Sequence, residues 1–186
     1  MRRSRWKQVD KRHRKFQFIS ITVIAGVVAA ITYGVYSYVQ NLPRTAFFGA
    51  VGSTHEHTAI GLFINGQMVD FSLPQYLGKS QYTHFEGGDG IEKQTAHKHA
   101  TGVDIGFLFE SMDIKFNEEC LIMDNGESYC NDGTNLLKFF VNGVRNSNYN
   151  SYVLNDNDKV LISYGSDDQQ QVEEQLEMLD LQVMNK

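Results

Sequence analysis

Cysteine and proline are scarce in this 186-residue chain, which contains two of each. The pair Cys120 and Cys130 does not have the Cys-X-X-Cys spacing that is typical of thiol oxidoreductases. The sequence also contains no G-x-S-x-G, P-loop, dinucleotide-binding or H-E-x-x-H pattern, which leaves the corresponding enzyme classes without support. These absences favour a binding or assembly role over catalysis.

The stretch CLIMDNGESYC suits a β-hairpin with one cysteine in each strand. If Asp124, Asn125 and Gly126 form the loop, with Gly126 in the left-handed conformation, the register places Cys120 opposite Cys130. We expect a cross-strand disulfide that contributes about 2 to 4 kcal/mol and requires an oxidising compartment. A catalytic dithiol is the alternative, but it would ordinarily use a Cys-X-X-Cys pair at the start of a helix.

Charged residues are absent from residues 16–39, and this apolar run predicts a transmembrane helix over residues 16–40. Its length of about 36 Å exceeds the roughly 30 Å of hydrocarbon in a bilayer. Eight basic residues and one acid precede the run, so the positive-inside rule keeps the tail, residues 1–15, in the cytoplasm. The rest of the chain is then extracytoplasmic. A cleaved signal peptide is the alternative, but its apolar region would be shorter.

Acidic residues dominate the chain outside the basic tail, since the whole sequence has a net charge of −5. An acidic extracytoplasmic domain argues against nucleic acid as a partner and favours cations. Within the apolar run, Gly26, Ala30 and Gly34 form a stripe of small residues that another transmembrane helix could approach. Small residues are also common in membrane spans for other reasons, so the stripe only hints at transmembrane partner subunits.

Residues 49–165 are predicted to form one α+β domain with a mixed sheet, after a linker at residues 41–48. Asn65-Gly66 is a strong hairpin signal between two strands. Thr101, Gly102 and Asp104 are N-terminal signals for a short helix that has the following residues on one face: Ile105, Leu108, Phe109 and Met112. The later segments FFVNG and NDNDKVLISYG resemble strands of a β-grasp fold. Residues 166–186 are predicted to form a C-terminal amphipathic helix with an apolar stripe: Val172, Leu176, Leu179 and Val183.

Histidines are concentrated in one window of the domain. His55 and His57 form one H-x-H pair, and His97 and His99 form another. Residues two apart on a strand share a face, so each pair offers two imidazoles from rigid backbone. If the two strands are neighbours, four imidazoles face one ion, and His84 could complete or replace a ligand.

This donor set predicts a metal site for copper, with zinc as the alternative, because imidazole suits both ions. Glu86 and Asp89 could add carboxylate ligands or orient the imidazoles. A hydrolytic zinc site would also need a general base, for which Glu56 or Glu86 could be proposed. Glu56 is the poorer candidate, because a strand would turn it to the opposite face. An H-x-H pair on a half-exposed strand can also be simply polar.

The segments HEHTAIGLFINGQMVDFS, THFEGGDG, HKHATG, the cysteine hairpin and ISYG together resemble a family of proteins. Its members are single-pass, membrane-anchored archaeal and bacterial proteins with extracytoplasmic domains, sometimes labelled disulfide-isomerase-like. The resemblance covers roughly residues 55–165. Archaeal ammonia oxidisers carry such proteins, so it implies an accessory place beside a membrane copper monooxygenase such as archaeal ammonia monooxygenase.

Three hypotheses follow from the sequence. The first is a membrane-anchored copper-binding or zinc-binding accessory protein of a membrane complex. The second is a structural or assembly subunit in which the histidines hold no metal. The third is a thiol-disulfide oxidoreductase, which the cysteine spacing disfavours.

Overall fold

The computed structural model describes residues 2–87, 93–166 and 168–184, and the chain divides into two compact units, Met1–Ala46 and Phe47–Lys186. The first unit consists mainly of helix α1, Arg2–Gln40. Its segment Arg14–Gln40 is long and apolar enough to span a membrane. The apolar N-terminal helix is therefore confirmed, while its orientation across a membrane stays a prediction.

Helix α1 begins at Arg2, whereas the sequence predicted a helix that starts at residue 16. The basic tail contains no glycine or proline. Arginine, lysine and glutamine are good helix formers, so nothing in the tail stops the helix from extending toward the N-terminus. A short 3-10 helix at Arg44–Phe47 lies in the predicted linker.

The second unit contains two further helices and a set of strands. The helices are α2, Ile105–Ser111, and α3, Gln169–Met184, and a 3-10 turn lies at Tyr149–Ser151. The described strands are β1, Glu56–Ile64; β2, Gln67–Met68; β3, Thr83–Phe85; β4, Thr95–Lys98; β5, Lys115–Phe116; β6, Cys120–Ile122; β7, Ser128–Cys130; β8, Leu136–Val141; β9, Val144–Arg145; and β10, Lys159–Gly165.

Seven of these described strands form a mixed sheet in the order β3-β4-β1-β10-β8-β9, with β2 also paired to β1. The pair β1 and β10 is parallel, and the other pairs in the sheet are antiparallel. The α+β class with a mixed sheet is thus confirmed. The parallel pairing of β1 with β10 was not predicted, because the two strands are about a hundred residues apart.

Strand β1 separates two apolar layers because its side chains alternate between the faces of the sheet. Ile60 and Leu62 belong to the main core, which also contains the buried residues of α2. Phe63 points to the other face, where it packs with Val172 of α3. By the same alternation, His57 lies on the face of the sheet that carries Phe63.

The α2 helix begins after the predicted N-terminal signals, and Asp104 is its N-cap. Asp104 has an extended backbone, and its Oδ1 atom accepts a hydrogen bond of 2.8 Å from the Phe107 amide. Such a cap satisfies one of the free amides at a helix start. Gly106, in the first turn of α2, lies close to the 3-10 turn at Tyr149–Ser151. A methyl group added to Gly106 would lie 2.5 Å from the Asn150 carbonyl oxygen.

We expect Gly106→Ala to destabilise the protein by about 1 to 3 kcal/mol, because the methyl group must displace backbone. In an open helix the same change would stabilise by up to about 1 kcal/mol. Urea unfolding of the full chain in detergent, followed by tyrosine near-ultraviolet circular dichroism, measures the difference. Ser111→Ala is the control, since the Ser111 hydroxyl bonds the Leu108 carbonyl within the same helix. A gain in stability for Gly106→Ala would contradict this prediction.

Strands β5, β6 and β7 form a separate three-stranded sheet that carries the two cysteines. Cys120 and Cys130 are directly opposite each other, and their sulfur atoms are at disulfide distance, 2.07 Å. Gly126 has a φ of +85°, and the Met123 amide donates to the Glu127 carbonyl at 2.9 Å. The hairpin has the predicted loop and register.

A histidine cluster as candidate metal centre

Five histidines meet on one face of the mixed sheet because three of its strands are neighbours. In the antiparallel pair β1 and β4, His57 is directly opposite His97. In the pair β3 and β4, His84 is also opposite His97. His55 precedes β1 and His99 follows β4, so the same register sets them opposite each other. The adjacency of the two H-x-H strands, on which a shared site depends, is therefore present.

The imidazole rings are in mutual contact. Ring centroids are 4.6 Å apart for His57 and His97, 5.0 Å for His55 and His99, and 5.0 Å for His84 and His99. The widest of these ring contacts is 6.4 Å, between His97 and His99. The side chains are also close to solvent: His97 is 15 % exposed, His84 is 18 % exposed, and His55 is open. An ion from solution could reach the cluster without unfolding it.

The donor atoms divide into two groups of three. His55, His57 and His97 form a group with three nitrogen donors, here called triad A. His84, Glu86 and His99 form a group with two nitrogens and a carboxylate, here called triad B. Within each triad the donor atoms lie within 4.8 Å of one another. Ligands of one tetrahedral ion lie about 3.3 Å apart for bonds of about 2.0 Å, so small side-chain movements would close either triad around an ion.

Hydrogen bonds orient His84. Its Nδ1 atom lies 2.7 Å from the Ser80 carbonyl oxygen, which can only accept, so Nδ1 carries the proton and donates. Metal-bound histidines commonly have this arrangement, because the second nitrogen is then free to bind and the ring is held in place. The Nε2 atom of His84 lies 3.2 Å from Glu86 Oε1.

The cluster also favours the protonation states that bind metals. Burial lowers the pKa of His97, and nearby imidazoles, His57 first, lower it further against the opposing effect of Glu86. Burial and the neighbouring His84 likewise lower the pKa of His99. The hydrogen bond with His84 lowers the pKa of Glu86 below its usual value. Neutral imidazoles and an ionised carboxylate are the forms that coordinate a cation.

His97 has one nitrogen without a partner in the described part of the chain. Its Nδ1 atom is buried and makes no hydrogen bond. Its Nε2 atom lies 3.8 Å from Glu86 Oε2. A buried polar atom without a partner costs roughly 1 to 3 kcal/mol, and such an atom in a native protein calls for an explanation. Coordination of an ion would supply one only if Nδ1 is itself the atom that binds it.

An ion pair on the opposite face fixes the two strands that carry the H-x-H pairs. Glu56 and Lys98 face each other in the register of β1 and β4, and Lys98 Nζ is 2.6 Å from Glu56 Oε2. Lys98 Nζ also donates to the Leu154 carbonyl. Burial alone raises the pKa of Glu56, but hydrogen bonds with Lys98 and Thr54 outweigh it, so the pKa is lowered. As expected from alternation, Glu56 cannot serve the histidine face.

The remaining predicted site residues lie elsewhere. Asp89 falls outside the described residues. Gly26, Ala30 and Gly34 are exposed along α1.

Sequence reasoning missed Asp156 as a neighbour of the cluster. Its Oδ1 atom accepts a hydrogen bond of 2.9 Å from the His57 backbone amide and lies 3.9 Å from Nδ1 of the His57 ring. The two residues are 99 positions apart, and no local signal connects them.

The donor chemistry suits borderline divalent metals, since imidazole binds zinc and copper well and carboxylate widens the choice. A triad with three protein ligands leaves an open position for water or another group.

The chain matches no protein-family model, no curated protein and no solved structure.

Proposed function

We propose that the protein is a membrane-anchored, extracytoplasmic metal-binding protein whose histidine cluster holds copper, with zinc as the alternative. The observation that carries the proposal is the convergence of five imidazoles from β1, β3, β4 and their ends on one face, with ring contacts from 4.6 to 6.4 Å. An H-x-H pair that occurs by chance would not be expected to lie opposite a second such pair. Here the two pairs lie opposite each other, and a fifth histidine lies beside them.

Electrostatics also support a cation in this place. Burial and nearby imidazoles lower the pKa of His97 and His99 and so favour their neutral forms, whose ring nitrogens can bind a cation. A metal ion satisfies several such nitrogens at once, whereas hydrogen bonds to water satisfy them singly.

The cellular setting of the proposal comes from α1 and its flank. The segment Arg14–Gln40 has the length and hydropathy of a membrane span. The positive-inside rule would leave the basic N-terminus in the cytoplasm and the metal site outside. The protein would then act as an accessory subunit of a membrane complex, and the family resemblance suggests one containing a copper monooxygenase. The stripe Gly26, Ala30 and Gly34 is the predicted contact with a transmembrane partner.

We also propose a β-grasp-like architecture for the domain. Its support is a mixed sheet in which the first strand, β1, pairs in parallel with the last, β10, while α2 packs against one face. The C-terminal helix α3 is proposed to be amphipathic, since Val172 and Leu179 are buried and Glu173 and Glu174 are exposed.

Metal content measures the proposed function directly. We expect full-length protein, purified in detergent, loaded with Cu(II) or Zn(II) and then desalted, to retain at least one ion per chain by elemental analysis. His57→Ala/His97→Ala removes the central cross-strand pair and should weaken binding at least tenfold, because loss of two ligands should cost no less than loss of a residue that only orients a ligand, about 10- to 100-fold. His13→Ala is the control, because His13 belongs to α1 and not to the domain.

The alternative function, a structural subunit whose histidines bind nothing, predicts a different result. In that case the wild type, the double variant and the His13→Ala control all retain negligible copper and zinc. Equal retention by the wild type and the double variant would place the metal elsewhere and would also overturn the proposed site.

A further inference from the structure

We infer that the cluster binds two ions, one in triad A and a second in triad B, with Glu86 as a ligand of the second. The inference rests on the proposed function, which requires only one ion. It adds a second site and a ligand, Glu86, with a distinct donor set of two imidazoles and one carboxylate.

The number of donors is the first argument. Five imidazoles and one carboxylate are available, while zinc sites in proteins use three or four protein ligands. One ion therefore leaves at least two donors unused. Each triad by itself supplies the three protein ligands that are typical of an open site.

The contact between His84 and Glu86 is the second and independent argument. The contact of His84 Nδ1 with the Ser80 carbonyl oxygen at 2.7 Å orients the ring, so that Nε2 lies 3.2 Å from Glu86 Oε1. The distance agrees with the roughly 3.3 Å that separates two ligands of a tetrahedral ion. A second proton on His84 is the competing explanation, and it would give an ion pair without metal.

The donor sets indicate which ions each triad prefers. Triad A offers three imidazoles, which suit copper or zinc. Triad B has the two-histidine, one-glutamate composition of catalytic zinc sites in metalloproteases. The second ion is therefore expected to be a borderline divalent cation such as Zn(II), with an open coordination position.

Glu86 also lies between the two triads. Its Oε1 atom faces His84, and its Oε2 atom lies 3.8 Å from His97 Nε2, a residue of triad A. His99 of triad B is in ring contact with His55 of triad A at 5.0 Å. The two ions would be close neighbours, and residues of the two triads would contact each other. Removal of one ion should therefore change the affinity of the cluster for the other.

The stoichiometry of Zn(II) binding tests the inference. Metal-free full-length protein in detergent is titrated with Zn(II) by calorimetry, and bound zinc is counted after desalting. We expect two ions per chain for the wild type, one for Glu86→Gln, one for Glu86→Gln/His84→Ala, and one for His55→Ala/His57→Ala. Glu119→Gln, an exposed glutamate outside the cluster, should keep two. Circular dichroism confirms folding, and Glu86→Gln alone preserves the test if His84→Ala unfolds the chain.

Other outcomes separate the two proposals. One ion in the wild type that survives Glu86→Gln overturns the second site, identifies a His84–Glu86 ion pair only, and leaves the proposed function intact. Two ions in both the wild type and Glu86→Gln/His84→Ala overturn triad B as the second site. No ion in the wild type overturns both proposals.

Discussion

Glu56→Gln is expected to lower the free energy of unfolding by about 3 kcal/mol, the lower end of the cost of breaking a buried ion pair. The Lys98 side chain is only 4 % exposed and has its ammonium 2.6 Å from the Glu56 carboxylate. The variant leaves this charge buried with the Leu154 carbonyl as its other partner. Glu56 itself is 23 % exposed, and partial access of water is the reason for choosing the lower end.

Lys98→Met in the Glu56→Gln background should recover most of the loss, because it removes the unpaired charge and keeps the apolar stem. Asp180→Asn is the matched control. It breaks the Lys159–Asp180 pair, which has a similar distance of 2.7 Å but lies at the surface, so the expected cost is under about 1 kcal/mol. Urea unfolding of all four proteins in detergent provides the comparison. Equal losses for Glu56→Gln and Asp180→Asn would show that the burial of Lys98 has no energetic consequence.

This pair also bears on the proposed metal site. Glu56 lies between His55 and His57 in sequence, and Lys98 lies between His97 and His99. Because side chains alternate, the ion pair ties β1 to β4 on one face while the imidazoles converge on the other. The same backbone register thus serves stability and ligand geometry. A metal-free protein weakened at this pair should bind metal less tightly as well as unfold more readily.

Elements that depend on local chemistry were predictable from the sequence. Asn65-Gly66 joins β1 to β2, Gly126 sets the cysteine hairpin, and Asp104 caps α2. Each depends on residues within a few positions of one another, where turn and cap preferences act. The two-residue strand β5 was missed because it has too little alternation to be recognised. Strand β9 was also missed, although the turn before it, Asn142-Gly143, is the same hairpin signal as Asn65-Gly66 and could have indicated it.

Long-range pairing explains what the sequence could not reveal about the site. The five histidines were identifiable by type and spacing, but their division into two triads follows from β4 lying between β1 and β3. Lys98 was missed since a lysine on a strand is usually exposed, and only the structure places it beside Glu56. Glu86 was a candidate ligand, yet its position between the triads required the register of β3 on β4.

Saturating Zn(II) is expected to raise the free energy of unfolding by about 4 kcal/mol when free zinc exceeds its Kd a thousandfold. The donors come from three strands that are neighbours only in the folded sheet, so the unfolded chain binds zinc weakly. Urea unfolding in detergent with Zn(II), compared with Mg(II) at the same concentration, measures the gain. His57→Ala/His97→Ala should lose most of it. A wild-type gain no larger than that of this variant would contradict coordination by the cluster.

Hydrogen exchange would locate this stabilisation within the domain. An ion bound across β3, β4 and β1 opposes the opening of that edge of the sheet, so amides there should exchange more slowly with Zn(II) than without it. Strands β6 and β7 belong to a separate sheet closed by the disulfide, and their amides provide an internal control. Amides that exchange only through global unfolding should slow in both sheets by the same factor, because zinc stabilises the whole folded chain. The test therefore compares amides that exchange through local opening: slowing of these amides in the three histidine strands, but not in β6 and β7, would tie the ion to the cluster, and equal slowing in both sheets would contradict it.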